Sequence, residues 1–89
     1  MEFEWDLRKA EQNLTRHGVS FDEATTVFGD PLAATVSDSV HSQSEPRFVT
    51  VGQSAQGRIL VVIHSDRADK VRRISARPES SRERKQYES

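Results

Sequence analysis

The 89-residue chain contains no cysteine. Disulfides, thiolate zinc sites and cysteine nucleophiles are therefore excluded, and the composition suits a reducing compartment, so the expected location is the cytoplasm. Long apolar runs are also missing. The longest extends from Ile59 to Ile63, far short of the roughly 20 residues that a membrane-crossing helix needs. The opening residues, Met1 to Asp6, are acidic and lack the apolar centre of a secretion signal, so neither export nor membrane association is expected. In that setting the sequon-like Asn13-Leu14-Thr15 is a chance match. The carboxylates are scattered without an Asp-x-Asp pair, the three histidines stand far apart, and no glycine-rich phosphate loop is present. Nothing here has metal-ligand or nucleotide-cradle spacing, so no metal and no cofactor are expected.

What is present is a short, polar chain, expected to fold as one domain over residues 1–89. Apolar residues make up 34% and charged residues 30%, yet the aliphatic runs are enough for a folded core. A domain of this length buries only about 60–65% of its unfolded surface, and so shallow a core suggests that a partner covers part of it. The net charge of −1 conceals a division. Residues 1–45 carry a net −6 and residues 46–89 a net +5. Such asymmetry hints at a polyanion-binding face with an acidic back, although chance and local ion pairs produce it too.

Periodicity yields an order of elements. Phe3 and Trp5 alternate with acidic neighbours, as in a short edge strand, and both are read as core. Asp6 is placed to cap a helix over about 7–17, with Leu7, Ala10 and Leu14 as its buried stripe and Gly18 as its stop. Ser20 and Glu23 have capping-box spacing for a second helix ending near Phe28 before Gly29-Asp30-Pro31. Strands are expected over 32–36, 47–54, 58–65 and 70–76, with Gly57 closing a three-residue hairpin. If the sets Val49, Val51 and Ile59, Val61, Ile63 meet the helices, the open face holds Thr50, Gly52 and His64. In the last strand Ile74 and Ala76 point inward, and Arg73, Ser75 and Arg77 outward. Pro78 then suits the first position of a final helix over about 79–88 whose one large apolar residue is Tyr87. The expected fold is α+β, in the order β-α-α-β-β-β-β-α: a small, largely antiparallel sheet with two N-terminal helices on one face and a C-terminal helix.

An ordered set of residues along nearly the whole chain resembles one family. It begins with Phe3-Glu4-Trp5-Asp6, Asn13, His17-Gly18-Val19-Ser20-Phe21 and Glu23-Ala24. It continues through Val27-Phe28-Gly29-Asp30-Pro31, His41-Ser42, Arg47-Phe48, Gly52, Ser54 and Gly57-Arg58, then His64, Arg67, Ile74-Ser75-Ala76-Arg77, Glu83-Arg84 and Tyr87-Glu88. The set is similar to BrnT toxins. That resemblance implies a RelE-like fold, ribonuclease activity and neutralisation by a BrnA-like ribbon-helix-helix antitoxin in a 2:2 complex. It also implies that the complex represses its own operon, reaching operator DNA only through the antitoxin. Two positions depart from the family pattern: Arg73, where an aliphatic residue is usual, and Pro46, where an acidic residue is common.

Cleaving RNA without metal requires a base for the 2′-OH proton, cations on the phosphoryl oxygens and an acid for the leaving 5′ oxygen. Histidine suits the proton-transfer roles and arginine the phosphate. The catalytic candidates are His64, Arg67, Arg77 and Tyr87, and the RNA-binding candidates Arg47, Arg73, Glu83 and Arg84. His64 ends the central strand, where hydrogen bonding to a neighbour is an equal alternative. His17, before a helix-ending glycine, and His41, in a polar loop, are weaker candidates. Tyr87, spaced i, i+4 from Glu83 and i, i+3 from Arg84, could stack on a base, donate a proton or simply pin the last helix. A binding or scaffold module without catalysis is the competing reading. Convergence of His64, Arg67, Arg77 and Tyr87 in one cleft would separate the two.

Overall fold

A computed structural model describes residues 2–38, 46–67 and 70–79 of the chain. Tyr87, Glu83, Arg84, His41 and all but the first residue of the expected last helix lie outside them, and the side chains of Arg67, Arg73 and Ile74 are also outside the described set. The elements are β1 (Glu2–Glu4), α1 (Leu7–His17), α2 (Phe21–Thr26), a 3₁₀ turn (Val27–Gly29), β2 (Ala34–Ser37), β3 (Arg47–Gln53), β4 (Ile59–Arg67) and β5 (Lys70–Pro78).

The helix ends follow the sequence signals. Asp6 accepts from the backbone amides of Arg8 and Lys9, at 2.8 and 3.3 Å, and these bonds hold its carboxyl below the usual range. Gly18, with φ 70°, closes α1 in the left-handed region. Ser20 Oγ caps α2 through the Glu23 amide at 3.0 Å. The second helix tightens into the 3₁₀ turn at Val27, earlier than its apolar pattern suggests. Asp30 then accepts from the Leu32 amide and holds a turn, so β2 starts at Ala34 rather than at 32.

The five strands lie in the order β1-β5-β4-β3-β2. All neighbours are antiparallel except β1 and β5, which run parallel over Glu2 to Glu4 against Lys70 to Arg72. The sheet is thus mixed, and the two helices cross one of its faces.

The face assignment from alternation is reversed. Leu60, Val62 and Ala76 pack beneath the helices with Val19, Phe21, Ala24 and Val27. His64 and Thr50 are buried on that same face, 4% and 1% exposed. The far face carries Val49, Val51, Ile59, Val61 and Ile63. Periodicity could not decide, because β4 is apolar on both sides and its Val61 and Ser65 are buried as well. Gly52 marks the correct side. A Cβ there would meet Ala33 Cβ at 2.8 Å and Val27 Cγ1 at 2.9 Å, so its bare backbone admits the 3₁₀ turn.

Helix α1 is also rotated from expectation. Leu7 and Leu14 are 75% and 52% exposed, whereas Asn13 is buried. Beyond Arg72 the β1 strand no longer accompanies β5, and Asn13 takes over the edge. Its Nδ2 donates to the carbonyls of Ala76 at 2.7 Å and Val19 at 2.9 Å, and its Oδ1 accepts from the Ala76 amide at 3.0 Å. A side-chain amide has the same donor and acceptor pair as a strand backbone, so a polar residue rather than a leucine must face the sheet here.

The last strand runs past Arg77 to Pro78, and the Glu79 amide still donates to the Ile59 carbonyl. Pro78 therefore ends a strand instead of opening a helix. The β4–β5 register steps from Ile63 opposite Ser75 to His64 opposite Arg73, skipping Ile74. This bulge breaks the simple alternation that would set Arg73 on one face with Arg77.

Replacing Asn13 by Ala should leave three buried backbone groups without partners. At about 1–3 kcal/mol per group, the expected loss is about 3 kcal/mol or more in urea unfolding. A loss below about 0.5 kcal/mol would show that the edge is held otherwise. Gly52→Ala should also destabilise, since Ala33 and Val27 must move to admit the methyl group, at about 1–3 kcal/mol.

Candidate nucleic-acid face

The unbroken register of β3 against β4 places Arg47 opposite Ser65, Val49 opposite Ile63 and Val51 opposite Val61. Across β4 the partners are Arg77 for Val61, Ser75 for Ile63 and Arg72 for Ser65. Paired residues share a face, and Val62, between Val61 and Ile63, points to the helices. Arg47, Arg72 and Arg77 therefore stand on the sheet face away from the helices, around an aliphatic centre. All three are half-buried. The Arg77 guanidinium donates to the Pro78 carbonyl at 3.3 Å. Such a surface offers planar, permanently charged forks around an apolar floor, a combination suited to phosphates with bases laid between them.

His64 is not on this surface. Its Nε2 lies 2.7 Å from Thr50 Oγ1, which in turn lies 2.7 Å from Thr35 Oγ1. Its ring meets Phe28 edge-on at 4.9 Å and stacks on Phe48 at 5.9 Å. The expectation that His64 lies on an open face is thus corrected: Leu60, Val62 and His64 form the core-facing set, and the sheet separates His64 from Arg77. Arg67 pairs with Lys70 at the end of β4, and Arg73 pairs with His64. Of the expected site residues with described side chains, Arg47 and Arg77 come together on one face, and His64 lies behind it.

Two features of this region escaped sequence reasoning. Arg72 and Ser65 share a cross-strand row with Arg47; only the register reveals it, because Arg72 and Arg73 are indistinguishable before the bulge is known. The second is a cleft of about 260 Å³ between α1 and β5, lined by Lys9, Gln12, Asn13, Arg16, His17 and Ser75. All its ionisable lining residues are basic. The spacing of Lys9, Gln12, Asn13, Arg16 and His17, at i, i+3, i+4, i+7 and i+8, is the available signal for one helix face.

The ion pair given by the described residues belongs to the scaffold. Glu23, 5% exposed, accepts from Arg58 Nε at 2.9 Å, from Arg58 Nη2 and from Ser54 Oγ at 2.8 Å. The same guanidinium reaches the Gly18 carbonyl at 3.0 Å. It joins the end of α1, the start of α2 and the β3–β4 hairpin. Among the described residues, no group of three or more His, Asp or Glu could hold a metal ion, and no helix is long and apolar enough to cross a membrane.

A small mixed sheet with two helices on one face and arginines on the other defines a compact α+β protein. Residues 5–83 match the family described as "Ribonuclease toxin, BrnT, of type II toxin-antitoxin system". The chain belongs to this BrnT family, whose type II systems pair each toxin with an antitoxin. Among solved structures it is similar to the Brucella abortus ribonuclease toxin BrnT, with a TM-score of 0.69 and 21% identity over 91% of this chain and 99% of the other. At that identity the likeness is one of fold. No curated protein matches the chain.

The Arg58 guanidinium beside Glu23 holds that carboxyl below its ordinary value of 4.5. A depressed folded value means that the pair's stabilisation is complete above the unfolded value and disappears as pH falls through the folded one. Arg58→Met should therefore cost about 2 kcal/mol near neutrality, a figure reduced for the guanidinium's partial exposure. In chemical unfolding at a series of pH values the cost should shrink steadily below about pH 4.5. A cost independent of pH would assign Arg58 a packing role only.

Proposed function

We propose that the chain is a metal-independent endoribonuclease toxin, a single domain acting in the cytoplasm. Its RNA-contacting surface is the sheet face opposite the helices. The observation that carries this reading is the presence of Arg47 and Arg77 on that one face, fixed by the β3–β4–β5 register. There they bind the phosphates flanking the cleavage point and stabilise charge on the phosphoryl oxygens as the 2′ oxygen attacks. Arg67, Glu83, Arg84 and Tyr87 are assigned to the same surface, with Arg67 and Tyr87 among the catalytic groups, because they too fall in the basic half of the sequence; Arg73, paired with the core-facing His64 across the bulge, is left out of it. His64 acts through position: bonded to Thr50 beneath the sheet, it fixes β3 against β4 without touching RNA. The partner is a BrnA-like ribbon-helix-helix antitoxin, in a 2:2 complex that represses its own operon. Covering the basic face would silence the toxin and neutralise its charge together.

The placement of His64 across the sheet from Arg77 favours one competing reading, a module that binds RNA without cleaving it. The two readings diverge in a single assay. Expression of the chain alone should arrest growth, and co-expression of the antitoxin should restore it. The purified toxin should cleave RNA in EDTA and leave 2′,3′-cyclic phosphate or 3′-phosphate ends. Loss of cleavage in EDTA with recovery on adding Mg²⁺ would overturn metal independence, and binding without any cleavage would establish the module.

Arg77→Ala should lower the cleavage rate by about 10²–10³-fold, the usual effect of losing one well-placed charge-stabilising donor. Circular dichroism and antitoxin binding should be unchanged. Loss of the fold would instead make Arg77 structural.

A further inference from the structure

The row that crosses the sheet at Arg47, Ser65 and Arg72 has a feature that neither the family nor the aliphatic floor explains. Ser65 is 1% exposed, and its Oγ has no hydrogen-bond partner among the described residues. A buried hydroxyl without a partner is costly, and packing alone would be served as well by alanine. The hydroxyl stands between two arginines. Arg47 is its partner on β3 and Arg72 its partner on β5. At ordinary strand spacing the two arginine Cα atoms are roughly 10 Å apart, a span that two long side chains can close over one tetrahedral anion above the strand between them. The row ends at Glu4, the partner of Arg72 on β1. That carboxylate confines an anion to the span between the two arginines and disfavours one lying outside Arg72.

We infer that Arg47, Ser65 and Arg72 form a phosphate clamp for one phosphodiester of the RNA, with the two guanidinium groups gripping the non-bridging oxygens and the Ser65 hydroxyl donating a third bond from below. The inference rests on the reading of this face as the RNA surface and adds Ser65 and Arg72 to it. In the free chain the hydroxyl is covered, so the phosphate must draw the side chains above it apart as it enters. The buried polar group on this face receives its partner only when RNA is bound. Arg77 stands two cross-strand rows away on the same face, roughly 13 Å along the strands, where the next phosphate but one of an extended strand would lie.

The test uses the full chain and an oligoribonucleotide with 2′-O-methyl groups, which can be bound but not cleaved, in fluorescence anisotropy over a series of salt concentrations. Arg72→Ala should weaken binding about tenfold and reduce the salt slope by about 0.7, the value of one single-strand phosphate contact. Arg72→Lys should restore the slope but only part of the affinity, because a point charge does not replace a two-bond fork. Ser65→Ala should weaken binding several-fold at unchanged slope while leaving thermal stability equal or higher, since it removes an unsatisfied group from the free state. Glu4→Gln should strengthen binding. If Arg72→Ala fails to fold, Arg72→Gln makes the same comparison. Wild-type affinity in Ser65→Ala and Arg72→Ala, with loss in Arg77→Ala, would overturn the clamp and leave the RNA face standing. Undiminished binding in all three would overturn the face itself. Lower stability in Ser65→Ala with unchanged affinity would make Ser65 a packing residue and also overturn the clamp.

Discussion

The sheet depends on a side chain that stands in for a strand. β1 accompanies β5 for three residues and then turns away into α1. From there the inner edge of β5 would face the helix layer with bare backbone, and buried backbone groups must be satisfied. Asn13 supplies one donor and one acceptor to Ala76 and uses its second donor on Val19. This demand rotates α1, turns Leu7 and Leu14 outward and sets a polar, basic helix face along β5. The same contact holds the segment of β5 that carries Ser75 and Arg77. The position of the far-face arginines thus rests on an amide on the opposite side of the molecule.

A second constraint fixes the helix layer against the hairpin. Glu23 has the spacing to complete a capping box, yet its carboxylate turns to Arg58 and Ser54. Breaking one member of such a pair leaves an uncompensated charge, which is why its removal costs far more than its formation contributes. Gly52 works from the other direction. By presenting no side chain it admits the 3₁₀ turn to within contact of β3, and the layers close tightly enough to bury His64 and Thr50 together.

The order of elements was legible in the sequence because each boundary has its own local chemistry: Asp6 and Ser20 as caps, Gly18 and Gly57 in left-handed turns, alternation in the strands. The orientation of those elements was not. Both faces of β4 are apolar, so alternation of Leu60 and Val62 with Val61 and Ile63 could not indicate which set met the helices. Leu7 and Leu14 resemble a buried stripe, but burial was decided by the hydrogen-bonding needs of β5, which no window around α1 contains. The candidate site divides in the same way. Arg47 and Arg77 were singled out as candidates in the sequence, and the register puts both on the far face. His64 was placed on the wrong side by the face error, and Arg72 was passed over because a one-residue bulge at Ile74 cannot be read from alternation.

The pairing of β1 with β5 joins the two ends of the described chain, and the Asn13 contact to Ala76 spans 63 residues. Contacts this distant in sequence carry the full entropy of closing a long loop, which slows folding. During synthesis the helices and the β3–β4 hairpin can begin to collapse while β5 is still in the ribosome. Arg77 has no surface to share with Arg47 until β5 inserts between β1 and β4. A chain whose synthesis has not reached β5 therefore has no face that gathers Arg47 and Arg77.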